Sequence, residues 1–401
     1  MIKKIIFVFS KYFEIKDWSI FNCPYFLAEG YNVEIWSLVQ IHYKGRAKEP
    51  LHLFRDYNVK YFEEINKFKR ELWKNNRKHT MFLIYPSLGE NSETGYLIRR
   101  LIKQGGFQYC DYFYPPCFTN TTNEKIPDTW MEITVYYFKH LSNRKIIKDL
   151  LFSFAYPPKY IFITAQDKFT NLANKYDILC SRKLKYINTP DYDKFIAENT
   201  DEDLSILKRE ELKENKYIVF LDQAHTHHSD VVNRGLKPWV TEEVYGKELC
   251  NLFDFIEKHT NLDVVIALHP KAEYKDSSIF GGRKMIYGET RSLIKYSNFV
   301  ISDFSTSISY SMLYKKRLLM YTTNQLIRNG DYIPRQQALA KFLGCRIVNI
   351  SKSIPADLLD AYVKQISEIK RRIYIKRLIC SRTKGKKITS AQIIDRCLKK
   401  V

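Results

Sequence analysis

The segment FLDQAHTHHSD, Phe220 to Asp230, places three histidines and two aspartates within eleven residues. The chain carries nine histidines in all, so a third of them fall in this one stretch. Two chemistries suit such a loop. Imidazole nitrogens can ligate a metal, or they can offer hydrogen bonds and positive charge to an anionic substrate. Zinc favours a closed set of nitrogen and sulfur ligands with supporting outer bonds. The H-x-H-H spacing of His225, His227 and His228 matches no strong zinc signature, and no cysteine lies close in sequence. The stretch is therefore read as a substrate loop in which Gln223, His225, His227 and His228 face an anionic sugar or acceptor. No metal and no other cofactor is expected.

Two further segments end apolar runs in polar residues. VVIALHP stops at His269, and Pro270 removes the next ladder donor. NFVISD runs into FSTSISYS, which puts Ser305, Thr306 and Ser307 at the N-cap and first turn of an expected helix. Such residues cap helices well. A helix start with unsatisfied N–H groups and hydroxyls is also a ready phosphate site. Neighbouring parallel strands end side by side, so these loops should converge, with four of the nine histidines on one rim. Lys271 and Arg283 are cationic candidates for a sugar carboxylate or a nucleotide phosphate. Asp191 and Asp193 read as caps of a turn or hinge.

These loops need a scaffold of strands. KKIIFVFSK, YNVEIWSL, TMFLIY (80–85), KYIFITA (159–165) and LKYINT (184–189) are short apolar runs bounded by polar loops. A helix with apolar Leu97, Ile98, Leu101 and Ile102 closes at Gly105-Gly106. Residues 197–215 turn charged and locally acidic. A second alternation follows: KYIVFLD (216–222), a helix over 247–260, LDVVIALHP, NFVISD and RLLMYTT (317–323). Strands alternating with helices indicate parallel α/β sheets. The expected division is a Rossmann-like domain over 1–195, a linker over 196–215, a second Rossmann-like domain over 216–375 and a basic helical extension over 376–401. Ligands in open α/β sheets bind at the carboxyl ends of the strands.

Bulk composition agrees. A length of 401 residues suits two domains. The formal charge of +21 predicts an anionic partner. Between Lys370 and Lys387 stand nine Lys or Arg and no acid. This run is read as a foot on an anionic membrane surface, where each basic residue adds about 1 kcal/mol. The eight cysteines form no CxxC pair, which fits a reducing cytoplasm. The N-terminal IIFVF run is shorter than a signal-peptide core, and no segment approaches the ~20 apolar residues of a membrane span. The expected location is cytoplasmic, peripheral on the inner face of the membrane.

His269-Pro270, followed about 35 positions later by a Ser/Thr cluster at a helix start, resembles bacterial glycosyltransferases that use CMP-activated acidic sugars. These include the sialyltransferases, polysialyltransferases and Kdo transferases of capsule and lipopolysaccharide synthesis. DYDKF (191–195), FLDQAHTHHSD, VIALHPKAEY, GGRKMIYGET and STSIS also resemble bacterial surface-carbohydrate proteins, over roughly residues 185–325. The resemblance implies an α/β GT-B fold, two Rossmann-like domains facing across a cleft, and inverting, metal-independent transfer to a surface-glycan or lipid-linked acceptor. Since the last helix of such folds often crosses back, it also offers packing of residues after about 376 on the first domain as the alternative to a basic extension. It further implies that His269, with Pro270 and Lys271 beside it, and Ser305, Thr306 and Ser307 hold the departing CMP phosphate. Preorganised donors at a developing charge lower the barrier. The family's acidic general-base motif is not intact here. Glu93 and Glu90, in the loop after the third apolar run, are the nearest candidates, with Asp222 competing. Alternatives of the same fold are a UDP-sugar transferase or epimerase, or a CDP-glycerol-type phosphotransferase. A nucleic-acid-binding protein is a further alternative, but the basic residues form no recognised module with aromatics.

Overall fold

The computed structural model describes residues 1–45, 57–85, 93–113, 152, 155–164, 183–227, 237–270, 272, 274, 276–330, 333–380 and 387–401. The chain forms two compact units. One comprises the described residues up to Asp193 together with those after Ile379; the other is Lys194–Ile379.

In the first unit seven strands form one parallel sheet: β1 (Lys4–Phe9), β2 (Asn32–Ser37), β3 (Val59–Tyr61), β4 (Thr80–Ile84), β5 (Gln108–Phe113), β6 (Ile161–Thr164) and β7 (Leu184–Ile187). Their order is β3-β2-β1-β4-β5-β6-β7. Successive side chains of β1 go to opposite faces. Ile5, Phe7 and Phe9 join Phe21 and Phe26, while Ile6 and Val8 join Trp36, Phe68 and Ile98. Both faces are covered, so β1 reads as an unbroken apolar run.

The Ser390–Leu398 helix belongs to this core, contributing Ala391, Ile393, Ile394 and Leu398 to the Phe7 cluster. A Thr389–Gln392 capping box opens it. Asp193 anchors its first turn, accepting from Ser390 N at 3.0 Å and from Asn188 Nδ2 at 2.8 Å. Burial raises the Asp193 carboxyl pKa, and these donors oppose the rise. The residues expected as a basic extension from 376 are thus divided. Those up to Ile379 lie in the second unit, and the last helix is a core element of the first. Asp193, expected to cap a turn or hinge, is a buried acceptor at the start of this helix.

The second unit carries six parallel strands: β8 (Tyr217–Leu221), β9 (Asp263–Leu268), β10 (Met285–Tyr287), β11 (Phe299–Ser302), β12 (Arg317–Thr322) and β13 (Ile347–Asn349). Their order is β10-β9-β8-β11-β12-β13. The chain steps outward from β8 to β10, then starts again on the other side of β8 at β11. The Glu242–Thr260 helix packs Leu249, Leu252, Phe253 and Ile256 against Ile218, Phe220 and Ile266. The acidic stretch expected as a linker contains the Thr200–Arg209 helix, which is part of this unit. Its Asp203, fully buried, accepts from Arg291 Nη2 at 2.5 Å, Ser292 Oγ at 2.6 Å and Lys295 Nζ at 2.9 Å. Among the described residues no helix is long and apolar enough to cross a membrane.

Candidate active site

The order of the second sheet reverses between β8 and β11, so the loops that follow these strands diverge from a common edge. A crevice at such a reversal is where open α/β sheets take ligands. The Asp222–His227 segment leaves one side of it, Asp303–Ser307 the other, and His269 ends β9 next door.

Asp222 organises the first loop. One carboxylate oxygen, Oδ1, accepts from Ala224 N and from the Tyr274 hydroxyl, both at 2.9 Å, while Oδ2 accepts from His269 N at 3.1 Å. The side chain is buried, and burial raises its carboxyl pKa against the pull of these donors. Ala224 adopts φ +50°, a left-handed conformation that costs a non-glycine residue about 1–2 kcal/mol. The Asp222 contact to its N–H holds that turn. Asp222 was a candidate general base. It is buried, and three donors occupy its oxygens.

Of the loop histidines, His225 turns inward. Its Nε2 lies 2.5 Å from Oδ2 of Asp303, across the reversal. Trp239 and Tyr245 flank its ring at centroid distances of 5.7 and 5.9 Å. Beneath, the Tyr245 and Tyr321 hydroxyls are 2.7 Å apart, and Gln336 Nε2 donates to the carbonyl oxygens of Asp303 and Tyr321. Burial, then the Asp303 charge, raises the Tyr245 hydroxyl pKa. His225, expected as a substrate contact, is 7% exposed and turned toward Asp303. Gln223 also turns back, donating to the Asp222 carbonyl at 2.8 Å. His227 keeps a half-buried place in the loop, edge-on to Tyr274 at 4.4 Å and with Nδ1 2.8 Å from Thr226 Oγ1. His228 and Lys271 lie outside the described residues.

On the other side of the crevice, Ser305 is buried, Ser307 half-buried and Thr306 exposed. Ser305 Oγ accepts from Ser307 N at 3.2 Å. The helix runs from Ile308 to Leu313 with Ser307 as its N-cap residue, so Ser305 and Thr306 stand in the turn before it. His269 is half-buried at the end of β9, its carbonyl accepting from Ala272 N at 2.9 Å. The exposed Pro270 accepts from the Tyr287 hydroxyl through its carbonyl.

Arg283 is not at this edge. It precedes β10, at the amino ends of the strands, where it binds Glu257 and Asp254 at 2.6 Å each and covers the Phe253 ring. Glu257 also accepts from Val264 N at the start of β9. Its partners stand 29 and 26 positions back in the chain, on the Glu242–Thr260 helix, so local spacing did not show this structural role. In the first unit, Glu93 is exposed and opens the Glu93–Gln104 helix; Glu90 lies outside the described residues. Among the described residues no group of three or more His, Cys, Asp or Glu side chains is arranged to hold a metal ion. Sequence reasoning assigned no role to Asp303, Tyr274 or Trp239. Asp303 alone carried a signal, as a carboxylate closing the apolar run FVIS.

No protein-family model and no curated protein matches the chain. Solved structures do. A histidine-substituted variant of the wall teichoic acid polymerase TagF aligns at 16% identity and a TM-score of 0.56, covering 99% of this chain and 89% of that one. The same variant soaked with CDPG aligns at 16% identity and a TM-score of 0.52, covering 99% and 88%. HepE from Anabaena, in complex with UDP-glucose, aligns at 10% identity and a TM-score of 0.46, covering 99% and 98%. At such identities the likeness is one of fold. The chain has the α/β architecture of GT-B proteins, with two parallel sheets.

Proposed function

We propose that this protein is a metal-independent, inverting glycosyltransferase that moves an acidic sugar from a CMP donor to a surface-glycan acceptor. The observation that carries the reading is the meeting of three loops at the reversal of the second sheet. Asp222 binds the backbone of His269, and the His225–Asp303 pair ties the loop after β8 to the Ser305–Ser307 turn. Nucleotide phosphates suit such an edge, which offers N–H groups, hydroxyls and an imidazole.

In the proposed step the bond between the anomeric carbon and the phosphate oxygen breaks, and CMP keeps the electron pair. Ser305, Thr306 and Ser307 stabilise the new charge, and His269 can supply a proton to the departing oxygen. The acceptor hydroxyl forms the new bond on the opposite face, and its proton passes to a carboxylate. Glu93, exposed at the first turn of its helix, is the candidate base among the described residues.

A second reading keeps the cytidine nucleotide and changes the group transferred. The likeness to TagF, one of whose structures was soaked with CDPG, favours a CDP-glycerol-type phosphotransferase. There the bond broken would lie within the diphosphate, and the same residues would receive CMP.

The proposed workplace is the inner face of the cytoplasmic membrane. At the start of the basic run, the Glu368–Tyr374 helix exposes Ile369 and Arg372, although Arg371 and Arg372 also pair with Glu368. Co-sedimentation with anionic vesicles, lost at high salt, tests this placement.

Thermal stabilisation by CMP, CDP, UDP and GDP, in wild type and His269→Ala, tests the donor class. A nucleotide at about 100 times its Kd stabilises by about 2.7 kcal/mol. Stabilisation by CMP that weakens in His269→Ala is expected. A response to UDP or GDP alone would overturn the cytidine donor, and no response to any nucleotide would overturn the transferase.

A further inference from the structure

The Ser305–Ser307 turn brings hydroxyls and N–H groups to the crevice but no charge. Behind it lie the carboxylates of Asp222 and Asp303, both buried. An anion seated at this edge therefore needs a cation close by to offset them. Arg283, the cation expected there, is at the far end of the sheet. Arg335 is not. Its guanidinium lies over the ring of Phe304, 5.8 Å from the centroid, and Phe304 immediately precedes Ser305. The adjacent residue fixes this arrangement. Gln336, 1% exposed, donates to the Asp303 carbonyl at 3.1 Å and the Tyr321 carbonyl at 2.8 Å. These bonds hold the first turn of the Ile333–Leu343 helix, which bears Arg335, against the turn that bears Ser305.

From this juxtaposition we infer that Arg335 is the cation that receives the donor's phosphate, together with Ser305, Thr306 and Ser307; the inference rests on the nucleotide-donor reading above. A planar guanidinium can lie on an aromatic face and still direct its in-plane N–H groups to phosphate oxygens. Lysine carries the charge without that flat fork. Phe304 is then the platform that sets the height of the guanidinium above the turn.

Calorimetric titration of CMP, CDP and inorganic pyrophosphate into wild type, Arg335→Gln, Arg335→Lys and Phe304→Leu tests this. Arg335→Gln should weaken CMP, CDP and pyrophosphate about tenfold to a hundredfold, the range of a hydrogen bond to a charged group. Arg335→Lys should recover part of the loss, and Phe304→Leu should fall between. The wild-type affinity should also drop with added salt more steeply than that of Arg335→Gln. Melting curves check folding, and if Arg335→Gln melts, the lysine and leucine variants carry the test. Unchanged CMP, CDP and pyrophosphate affinity in Arg335→Gln, or in both remaining variants, overturns the role of Arg335 and leaves the donor reading standing. Binding of pyrophosphate that Arg335→Gln loses, without binding of any nucleotide, keeps Arg335 and overturns the donor reading. Failure of wild type to bind pyrophosphate or any nucleotide overturns both.

Discussion

Nε2 of His225 and Oδ2 of Asp303 lie 2.5 Å apart, with side chains 5% and 0% exposed. The residues are 78 positions apart in the chain yet bracket the reversal of the second sheet. Such a pair couples two loops more tightly than either backbone could. Removing one partner of a buried hydrogen bond leaves the other unsatisfied, at a cost of about 1–3 kcal/mol. Asp303→Ala should therefore lower stability by that amount in urea denaturation. A double-mutant cycle with His225→Ala should give a coupling of about 0.5–3 kcal/mol. Strict additivity would mean that the two side chains do not act as a unit.

Asp222 should behave differently from a general base. Its oxygens hold Ala224, His269 and Tyr274, so Asp222→Ala releases the strained turn and the end of β9 together. The expected loss of stability is about 2–4 kcal/mol, from hydrogen bonds to a charged group. Asp222→Asn keeps one carbonyl oxygen and should retain the fold with partial transferase activity. In steady-state kinetics the loss in Asp222→Asn should appear in KM for the donor at least as much as in kcat. A collapse of kcat with KM and melting temperature unchanged would restore Asp222 as the base.

The parts of this arrangement that sequence made visible are those with a local signature. β1, β2, β4, β6, β7, β8, β9, β11 and β12 are apolar runs ending in polar residues, and each was found. β3, β10 and β13 are three-residue strands, too short for a period to register. β5 was missed because QYCDYF carries Asp111 inside the sheet, where the buried Arg99 balances it at 2.8 Å. The same limit applies at the site. His269 and the Ser/Thr turn announce themselves by type and position, but whether His225 faces substrate or Asp303 depends on β8 and β11 being neighbours. Arg283 failed for that reason too, since its partners on the 242–260 helix cannot be read from spacing.

Asp203 makes stability depend on acid. Burial works to raise its pKa, but bonds from Ser292, Arg291 and Lys295 outweigh that and hold it below the ordinary carboxylate value. A carboxyl whose pKa is lower folded than unfolded stabilises fully above the unfolded value of about 3.9. That contribution is lost as pH falls through the lower folded value. Asp203→Asn should cost about 3–5 kcal/mol at pH 7 by leaving two cations without their carboxylate. The difference between wild type and Asp203→Asn should narrow below about pH 4 in denaturation at graded pH. A difference independent of pH would show that packing, not charge, holds the Thr200–Arg209 helix.

The C-terminal helix offers a contrast between core and surface on one element. Ile394 is 1% exposed among the residues around Phe7, and Lys399 is about half exposed while pairing with Glu29 and Asp395 at 2.8 Å. Truncating a buried isoleucine costs about 2–5 kcal/mol, the lost transfer energy plus the cavity. Water around the half-exposed Lys399 ammonium screens its ion pairs, which therefore contribute little. Ile394→Ala should therefore destabilise the first unit severely, and Lys399→Ala hardly at all. Ser390→Ala should fall between, at about 1–3 kcal/mol, because Asp193 keeps the backbone N–H but Asn188 loses its hydroxyl partner. If the helix were a detachable basic extension, Ile394→Ala would change stability by less than about 0.5 kcal/mol, as surface substitutions do. Chemical denaturation of the three variants decides between the two.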